Sequence, residues 1–171
     1  MMRDFESVYE LMSRSFPPEE HRGFRQQKAL LDREDYHIHI YEEQGRLAAF
    51  CAVYSLPELS FIEHIAVNEA FQGQGMGSKI MREVMAISEK PIILEVEPPA
   101  GSETAARRVR FYEKLGFHLH AYPYEQPPLR VGAAPLPLQL MSYPAIYGEV
   151  AFDRVKQMIL QEVYGEHRVS R

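Results

Sequence analysis

The chain has 171 residues, 46% of them hydrophobic and 25% charged, which fits one globular domain. The formal net charge of −5 and the scatter of Lys and Arg argue against nucleic acid or an anionic membrane as partner. The longest largely apolar run, Leu47 to Leu56, is too short to span a bilayer, and the N-terminus lacks a signal-peptide core. The single cysteine, Cys51, is expected to be a buried thiol, and these features together predict a cytoplasmic protein.

The first half of the chain is predicted to hold two helices and then three strands. Apolar residues recur with a helical period up to about residue 33, and from Tyr36 the period changes to two. The expected bounds are helices over 4–15 and 24–33, then strands from Tyr36, over 46–54 after a turn at Gly45, and over 59–67.

The second half is predicted to alternate helices and strands. Apolar stripes predict three helices, with the residues Met76, Ile80, Val84 and Ile87, then Ala105, Val109 and Tyr112, and finally Phe152, Val155, Ile159 and Val163. Strands are expected over 91–97, 117–122 and 138–143, with a proline-rich loop over 123–137. This order of strands and helices predicts a single α/β layered domain over 1–171, with a helical extension over 145–171. Its mixed central sheet is expected to be flanked by helices on both faces.

A glycine-rich loop between the third strand and the third helix is the densest functional signal. Glycines without Cβ atoms let the backbone turn tightly and approach a ligand, and the first N–H groups of the next helix lack intrahelical partners. Such a loop before a helix predicts a pyrophosphate site. Its residues are Gln72, Gly73, Gln74, Gly75, Met76, Gly77 and Ser78.

Two common phosphate motifs do not match this loop. The dinucleotide fingerprint needs a glycine three positions after Gly75, where this chain has Ser78. The Walker A motif needs Gly-Lys-Ser/Thr, whereas the order here is Gly-Ser-Lys. A nucleotide-binding regulatory domain is therefore disfavoured, while a plain glycine-rich turn stays open.

The loop belongs to a larger pattern, Phe61-Ile-Glu-His-Ile-Ala-Val67 followed by Gln72-x-x-Gly75-x-Gly77. This pattern resembles motif A of the GNAT superfamily of acetyl-CoA-dependent N-acetyltransferases. Downstream, Arg110-Phe-Tyr-Glu-Lys-Leu-Gly-Phe117 resembles motif B of that superfamily, and the resemblance covers residues 59–117 in the right order. It implies the GNAT fold and transfer of an acetyl group from acetyl-CoA to a primary amine, with no metal.

The resemblance also implies cofactor contacts. The pantetheine arm of acetyl-CoA is expected to pair with the backbone of Ile65, Ala66 and Val67, where a fixed N–H would stabilise the developing oxyanion. Two features depart from the family pattern: the chain starts almost directly in a helix, and Ala105 stands where members commonly carry an asparagine contact to the cofactor.

Two glutamates are candidates for the general base. Glu63 interrupts an apolar strand face, where burial is expected to raise its pKa towards a useful range; a structural salt bridge to an arginine is the alternative. Glu95 resembles the acidic residue of a Leu-Glu-Val segment in ribosomal-protein N-acetyltransferases. A solvated pair with Glu97 is the alternative for Glu95.

Tyr112 is the candidate general acid. It matches the motif B tyrosine that lies near the cofactor sulfur in the superfamily, so its phenol would protonate the departing thiolate. A half-buried packing role is the alternative. Tyr112 is also counted among the cofactor-binding residues.

Other readings stay open. His37 and His39 could lie on one strand face as part of a metal site, but no third ligand is visible, and an exposed face is preferred. Another acyl-CoA donor or a catalytically inactive CoA-binding or interaction module would also fit the pattern. The acceptor, a small-molecule or peptide amine, and the choice between monomer and homodimer are not predicted.

Overall fold

The computed structural model describes residues 5–165. Its strands form a seven-stranded mixed sheet in the order β1-β2-β3-β4-β7-β5, with β6 paired to β7. The predicted mixed sheet with flanking helices is confirmed. The elements are α1 (Phe5–Ser15), α2 (Phe24–Ala29), β1 (Tyr36–Glu43), β2 (Arg46–Ser55), β3 (Ser60–Val67), α3 (Met76–Ile87), β4 (Ile92–Val96), α4 (Glu103–Lys114), β5 (His118–Leu119), β6 (Tyr124–Gln126), β7 (Leu136–Tyr143) and α5 (Glu149–Glu162).

The described residues fold as two compact units. The first contains the chain up to Ser55 and Ile62–Glu89, and the second contains Leu56–Phe61 and the chain from Lys90 onward. Strand β3 thus begins in the second unit and ends in the first.

In the first unit, helices α1 and α3 pack on an antiparallel hairpin. Strands β1 and β2 are joined by Gln44 and Gly45, whose φ angles of 53° and 72° make the turn that suits a two-residue hairpin loop. Helix α1 packs on β2, and helix α3 packs on both strands. Cys51 is fully buried in β2, as predicted, and burial raises the pKa of its thiol.

The predicted stripe of α3 is only partly buried. Met76, Ile80 and Val84 are buried, but Ile87 is 65% exposed. Ile87 is the last helical residue, and the helix reaches beyond its packed surface there.

In the second unit, β7 is the central strand for pairing. It runs antiparallel to β4, with Glu95 opposite Leu140, and also pairs with β5 and β6. Helix α4 buries its predicted stripe, and Ser102 caps its start by accepting a hydrogen bond from the Ala105 N–H at 3.0 Å. The helix is followed by Gly116 with a φ of 100°, a left-handed conformation that glycine commonly adopts just after a helix end.

The prediction of an uninterrupted loop over 123–137 is wrong. Strand β6 lies inside it and pairs with the start of β7, with Glu125 opposite Pro137. The surrounding prolines hide this strand in the sequence, although proline is tolerated on edge strands, where its missing N–H costs no ladder bond. Strand β5 is shorter than expected, with two residues.

Helix α5 is where an amphipathic helix is predicted. Phe152, Ile159 and Val163 are fully buried, while Val155 is half-buried. The buried residues anchor the C-terminal part of the chain to the second unit.

Candidate active site

The glycine loop of the first unit leads directly into α3. After β3, Asn68 accepts a hydrogen bond from the Ala70 N–H and so starts a short helical turn over Glu69–Phe71. Gly73 and Gly75 then adopt left-handed φ angles of 80° and 72°. An added Cβ at either glycine would meet no described atom within 4 Å, so the space above the loop is open.

The start of α3 is an uncapped helix N-terminus. Gly75 is its N-cap residue, and within residues 5–165 no side chain caps it. The N–H groups of Met76, Gly77 and Ser78 form the first turn and have no intrahelical acceptor. With the helix dipole they favour an anion, and the glycine conformations let that anion come close.

The residues before the loop are held by side-chain bonds. The Asn68 amide donates to the Leu47 carbonyl at 2.9 Å, and the Gln72 amide donates to the Val67 carbonyl at 3.3 Å. Ala66 is buried, whereas Ile65 and Val67 are half-buried. These bonds hold the end of β3 in place, and its pairing with a cofactor stays a prediction.

Glu63 forms a buried ion pair with Arg22. The two terminal nitrogens of Arg22 donate to the two carboxylate oxygens at 2.7 and 3.0 Å, and the side chains are 8% and 2% exposed. The turn after α1 supplies this arginine, whose carbonyl accepts a hydrogen bond from the Tyr9 hydroxyl at 2.9 Å. The structural alternative for Glu63, a salt bridge to an arginine, is confirmed.

The expected rise in the pKa of Glu63 is wrong. Burial by itself raises this pKa, but the charge of Arg22, then that of His64, and the Arg22 hydrogen bonds lower it below its ordinary value. A proton taken up by this carboxylate would break a buried ion pair in which both of its oxygens accept from Arg22. A role for Glu63 as base stays a prediction that this geometry weakens.

Because the folded pKa of Glu63 is lowered, its ion pair should make stability depend on pH. The stabilisation is fully present above the ordinary carboxyl pKa and is lost as the pH falls through the lower folded value. We expect Arg22→Met to lower the free energy of unfolding by about 3–5 kcal/mol at neutral pH, because it leaves a buried charge unpaired.

Urea unfolding between pH 3 and pH 7 measures this effect. The double variant Arg22→Met/Glu63→Met is the control, since it removes both charges and should cost less than Arg22→Met alone. An Arg22→Met protein as stable as the wild type would contradict the assignment.

Glu95 lies on β4 in the second unit and is bound by two tyrosines. The Tyr124 hydroxyl donates to Oε2 at 2.6 Å, and the Tyr164 hydroxyl donates to Oε1 at 2.7 Å. Glu97 follows the end of the strand. The alternative of a solvated pair is therefore wrong for Glu95, whose carboxylate is held in one orientation.

Tyr112 lies on the buried stripe of α4. It is 9% exposed, and its ring makes edge contacts with Phe111 and Phe117 at centroid distances of 5.1 and 5.9 Å. Its carbonyl accepts the N–H groups of Leu115 and Phe117, which closes the end of the helix. The ring is thus fixed in place, and the role of its hydroxyl as acid stays a prediction.

The predicted site residues are divided between the units. The first unit carries Glu63, the end of β3 and the glycine loop, whereas the second carries Glu95 and Tyr112. Sequence reasoning did not identify Arg22 or Tyr164 as carboxylate partners. No local spacing signals either contact, because each joins residues far apart in the chain.

Candidate metal ligands and membrane-spanning helices were sought among the described residues. Among the described residues, no group of three or more His, Cys, Asp or Glu side chains could hold a metal ion. His37 is exposed and His39 half-buried on β1. No helix within residues 5–165 combines the length and apolar character needed to cross a membrane.

Comparisons with known proteins agree with this architecture. The family model described as the acetyltransferase (GNAT) family matches residues 5–117. A GNAT-family structure from Bacteroides thetaiotaomicron is 31% identical, with 94% of this chain and 92% of that chain covered and a TM-score of 0.86. No curated protein sequence matches the chain.

Two more distant structures share the fold. The ribosomal-protein-S18-alanine N-acetyltransferase of Escherichia coli is 22% identical over 87% of this chain and 93% of that chain, with a TM-score of 0.61. Arabidopsis thaliana Naa50, in complex with the bisubstrate analogue CoA-Ac-MVNAL, is 16% identical over 83% and 93%, with a TM-score of 0.63. From the matched family model and the similarity to the Bacteroides structure, the chain belongs to the GNAT family of acetyltransferase enzymes.

Proposed function

We propose that this enzyme transfers the acetyl group of acetyl-CoA to a primary amine by direct attack of the amine on the thioester. The observation that carries the proposal is the open glycine loop before an uncapped helix. Gly73 and Gly75 leave room above the backbone, and the first turn of α3 offers unpaired N–H groups to a pyrophosphate. These backbone groups fit the pyrophosphate of CoA.

The end of β3 is proposed to receive the pantetheine arm and the carbonyl. Acetyl-CoA supplies the acyl group as an activated thioester. The backbone of Ile65, Ala66 and Val67 would orient that thioester, and an N–H fixed there would stabilise the oxyanion without reorganising.

Glu95 is the better supported base. It accepts hydrogen bonds from two tyrosine hydroxyls, one on each carboxylate oxygen, and these hold the group in one orientation. Glu63, the other candidate, is engaged by Arg22 through both oxygens. We therefore propose that Glu95 takes the proton that the attacking amine must lose.

Tyr112 is proposed as the acid. As the new C–N bond forms and the C–S bond breaks, one proton leaves the amine for Glu95 and another passes from the phenol of Tyr112 to the thiolate. Proton exchange with solvent then restores both side chains. The ring contacts that fix Tyr112 would keep its donor in one position.

The domain organisation and the cellular location of the protein are also part of this proposal. We propose one GNAT domain over residues 1–171 with a helical extension from residue 145, acting in the cytoplasm. The acceptor is a primary amine of a small molecule or a peptide.

A thiol-release screen with acetyl-CoA against a library of amines tests the function. Polyamines, aminoglycosides, peptides with free N-termini and arylalkylamines form its four arms. We expect one arm to accelerate thiol release above the uncatalysed rate. Measurable CoA binding without acceleration in any arm would instead indicate an inactive CoA-binding module.

Replacing Tyr112 with phenylalanine should lower kcat by roughly 10²-fold, because the ring and its packing stay while the proton donor is lost. Calorimetry should show nearly unchanged CoA affinity. The loss should shrink with an acyl donor whose thiol is more acidic, since that leaving group needs less protonation. A wild-type kcat under conditions where chemistry limits turnover would leave Tyr112 with a packing role.

A further inference from the structure

Three side chains of the second unit form a hydrogen-bonded group that we call the tyrosine clamp: Glu95, Tyr124 and Tyr164. The two hydroxyls approach different oxygens of the one carboxylate, at 2.6 and 2.7 Å. Both tyrosines are 3% exposed. Distances this short are typical of O–H donors to a charged carboxylate.

The two tyrosines come from the part of the chain beyond the family match. That match ends at residue 117, whereas Tyr124 lies on β6 and Tyr164 follows the end of α5. Each partner is therefore supplied by an element outside the matched residues. The clamp makes that later part of the chain contribute directly to the surroundings of Glu95.

The position of Tyr164 is fixed by its neighbours. Helix α5 is anchored by buried Phe152 and Ile159, and the Val163 N–H continues the helix by donating to the Ile159 carbonyl at 2.9 Å. The ring of Tyr164 lies 6.5 Å from that of Phe61, edge to face. A buried phenol on an anchored helix end loses little further freedom when it binds a carboxylate.

Tyr124 is fixed by strand pairing. Its strand, β6, pairs with β7, and Tyr124 lies opposite Leu138. Strand β4 also pairs with β7, and Glu95 lies opposite Leu140. The pairing with β7 therefore sets the positions of both Glu95 and Tyr124. Strand pairing thus positions Glu95 and Tyr124, and the end of α5 positions Tyr164.

We propose that Tyr124 and Tyr164 are positioning residues that hold the Glu95 carboxylate in the orientation needed to receive the proton of the acceptor amine. The inference rests on the proposed function of Glu95 as the base. It assigns a role in acetyl transfer to β6 and to the C-terminal helix, neither of which the family match covers.

The side chains around Glu95 affect its pKa and therefore the acidic limb of the pH–rate profile. Directly opposite on β7 lies the uncharged Leu140, and the buried face of α4, which packs on β4, carries Ala105, Val109 and Tyr112. The carboxylate accepts a hydrogen bond from each of the two clamp phenols. A hydroxyl that donates to the charged carboxylate favours that form, so losing it should raise the pKa of Glu95.

Phenylalanine variants test the clamp because they keep each ring and remove only the hydroxyl. We expect Tyr124→Phe and Tyr164→Phe each to lower kcat by about tenfold and to leave the KM for acetyl-CoA unchanged. The acidic limb of the kcat/KM profile should move upward by about one pH unit in each variant. A ¹³C NMR titration of the Glu95 carboxyl should show the same shift without any turnover.

Tyr147→Phe is the matched control, because Tyr147 is a tyrosine of the same unit that is 84% exposed. Its kcat and pH profile should equal those of the wild type. Thermal unfolding reports whether each clamp variant is folded, and an unfolded Tyr124→Phe leaves Tyr164→Phe to decide the question.

The possible outcomes distinguish the positioning role of the two tyrosines from the assignment of Glu95 as the base. If Glu95→Gln loses activity while both folded clamp variants keep the wild-type acidic limb and carboxyl titration, the clamp role is overturned and the base assignment stands. If Glu95→Gln keeps the wild-type kcat, the base assignment itself fails, and the clamp role fails with it. Shifted limbs in both clamp variants support the proposal.

Discussion

Glu95→Gln should lower kcat by about 10²–10⁴-fold, the range that a positioned general base contributes. Glutamine keeps the size of the side chain and can still accept a hydroxyl donor, so the fold and the binding of CoA should change little. The acidic limb of the pH–rate profile should disappear, because the group that must be ionised is gone. Steady-state kinetics from pH 5 to pH 9 with a saturating acceptor measure both effects.

Glu97→Gln is the matched control for this variant. Glu97 is two residues further along, just beyond the end of β4, and the substitution makes the same change in charge. It should retain nearly wild-type kcat. Should Glu63→Gln remove the acidic limb while Glu95→Gln does not, the two glutamates have exchanged roles.

Much of the fold could be predicted because its signals are local. The hairpin of β1 and β2 follows from a change of period and a glycine turn, and the start of α3 follows from a glycine run before an apolar stripe. The turn that suits this hairpin needs positive φ angles, which Gly45 adopts without strain. Local rules of this kind act within a few residues and can be read from a single sequence.

The carboxylate partners could not be predicted because they depend on tertiary packing. Arg22 and Glu63 are 41 residues apart, and Tyr164 is 69 residues from Glu95. A glutamate on an apolar strand face is equally consistent with a raised pKa and with an ion pair. Only the position of Arg22 decides between them, because a nearby opposite charge offsets the effect of burial.

Strand β6 is hidden in the sequence for a different reason. Five prolines lie at positions 123, 127, 128, 135 and 137, and the local rule that proline disfavours strands outweighs the weak signal of the three residues Tyr-Glu-Gln between them. Pairing with β7, which a single sequence does not reveal, stabilises the strand. The same pairing places Tyr124 against Glu95.

Gly75→Asp should abolish tight binding of CoA. Its carboxylate would lie at the start of α3, where the pyrophosphate is proposed to bind. Two unit charges about 4 Å apart near a protein surface repel by about 4 kcal/mol, which corresponds to roughly a 1000-fold loss of affinity. The added Cβ meets no described atom of the chain within 4 Å, so this loss is not expected from disruption of the loop itself.

Gly45→Asp is the matched control for backbone strain. Gly45 and Gly75 share a φ of 72°, and an added Cβ at either position meets no described atom within 4 Å. Both variants therefore carry the same cost of a left-handed aspartate, about 1–2 kcal/mol, and the same change in net charge. A difference between them in CoA affinity reports the ligand, not the strain.

Calorimetric titration of CoA into the wild type, Gly75→Asp and Gly45→Asp tests the central claim most directly, since that claim places the pyrophosphate at the glycine loop. Thermal unfolding shows beforehand that all three proteins are folded. We expect equal affinity for the wild type and Gly45→Asp, and a loss of at least roughly 100-fold for Gly75→Asp. Unchanged CoA affinity in a folded Gly75→Asp protein would contradict it.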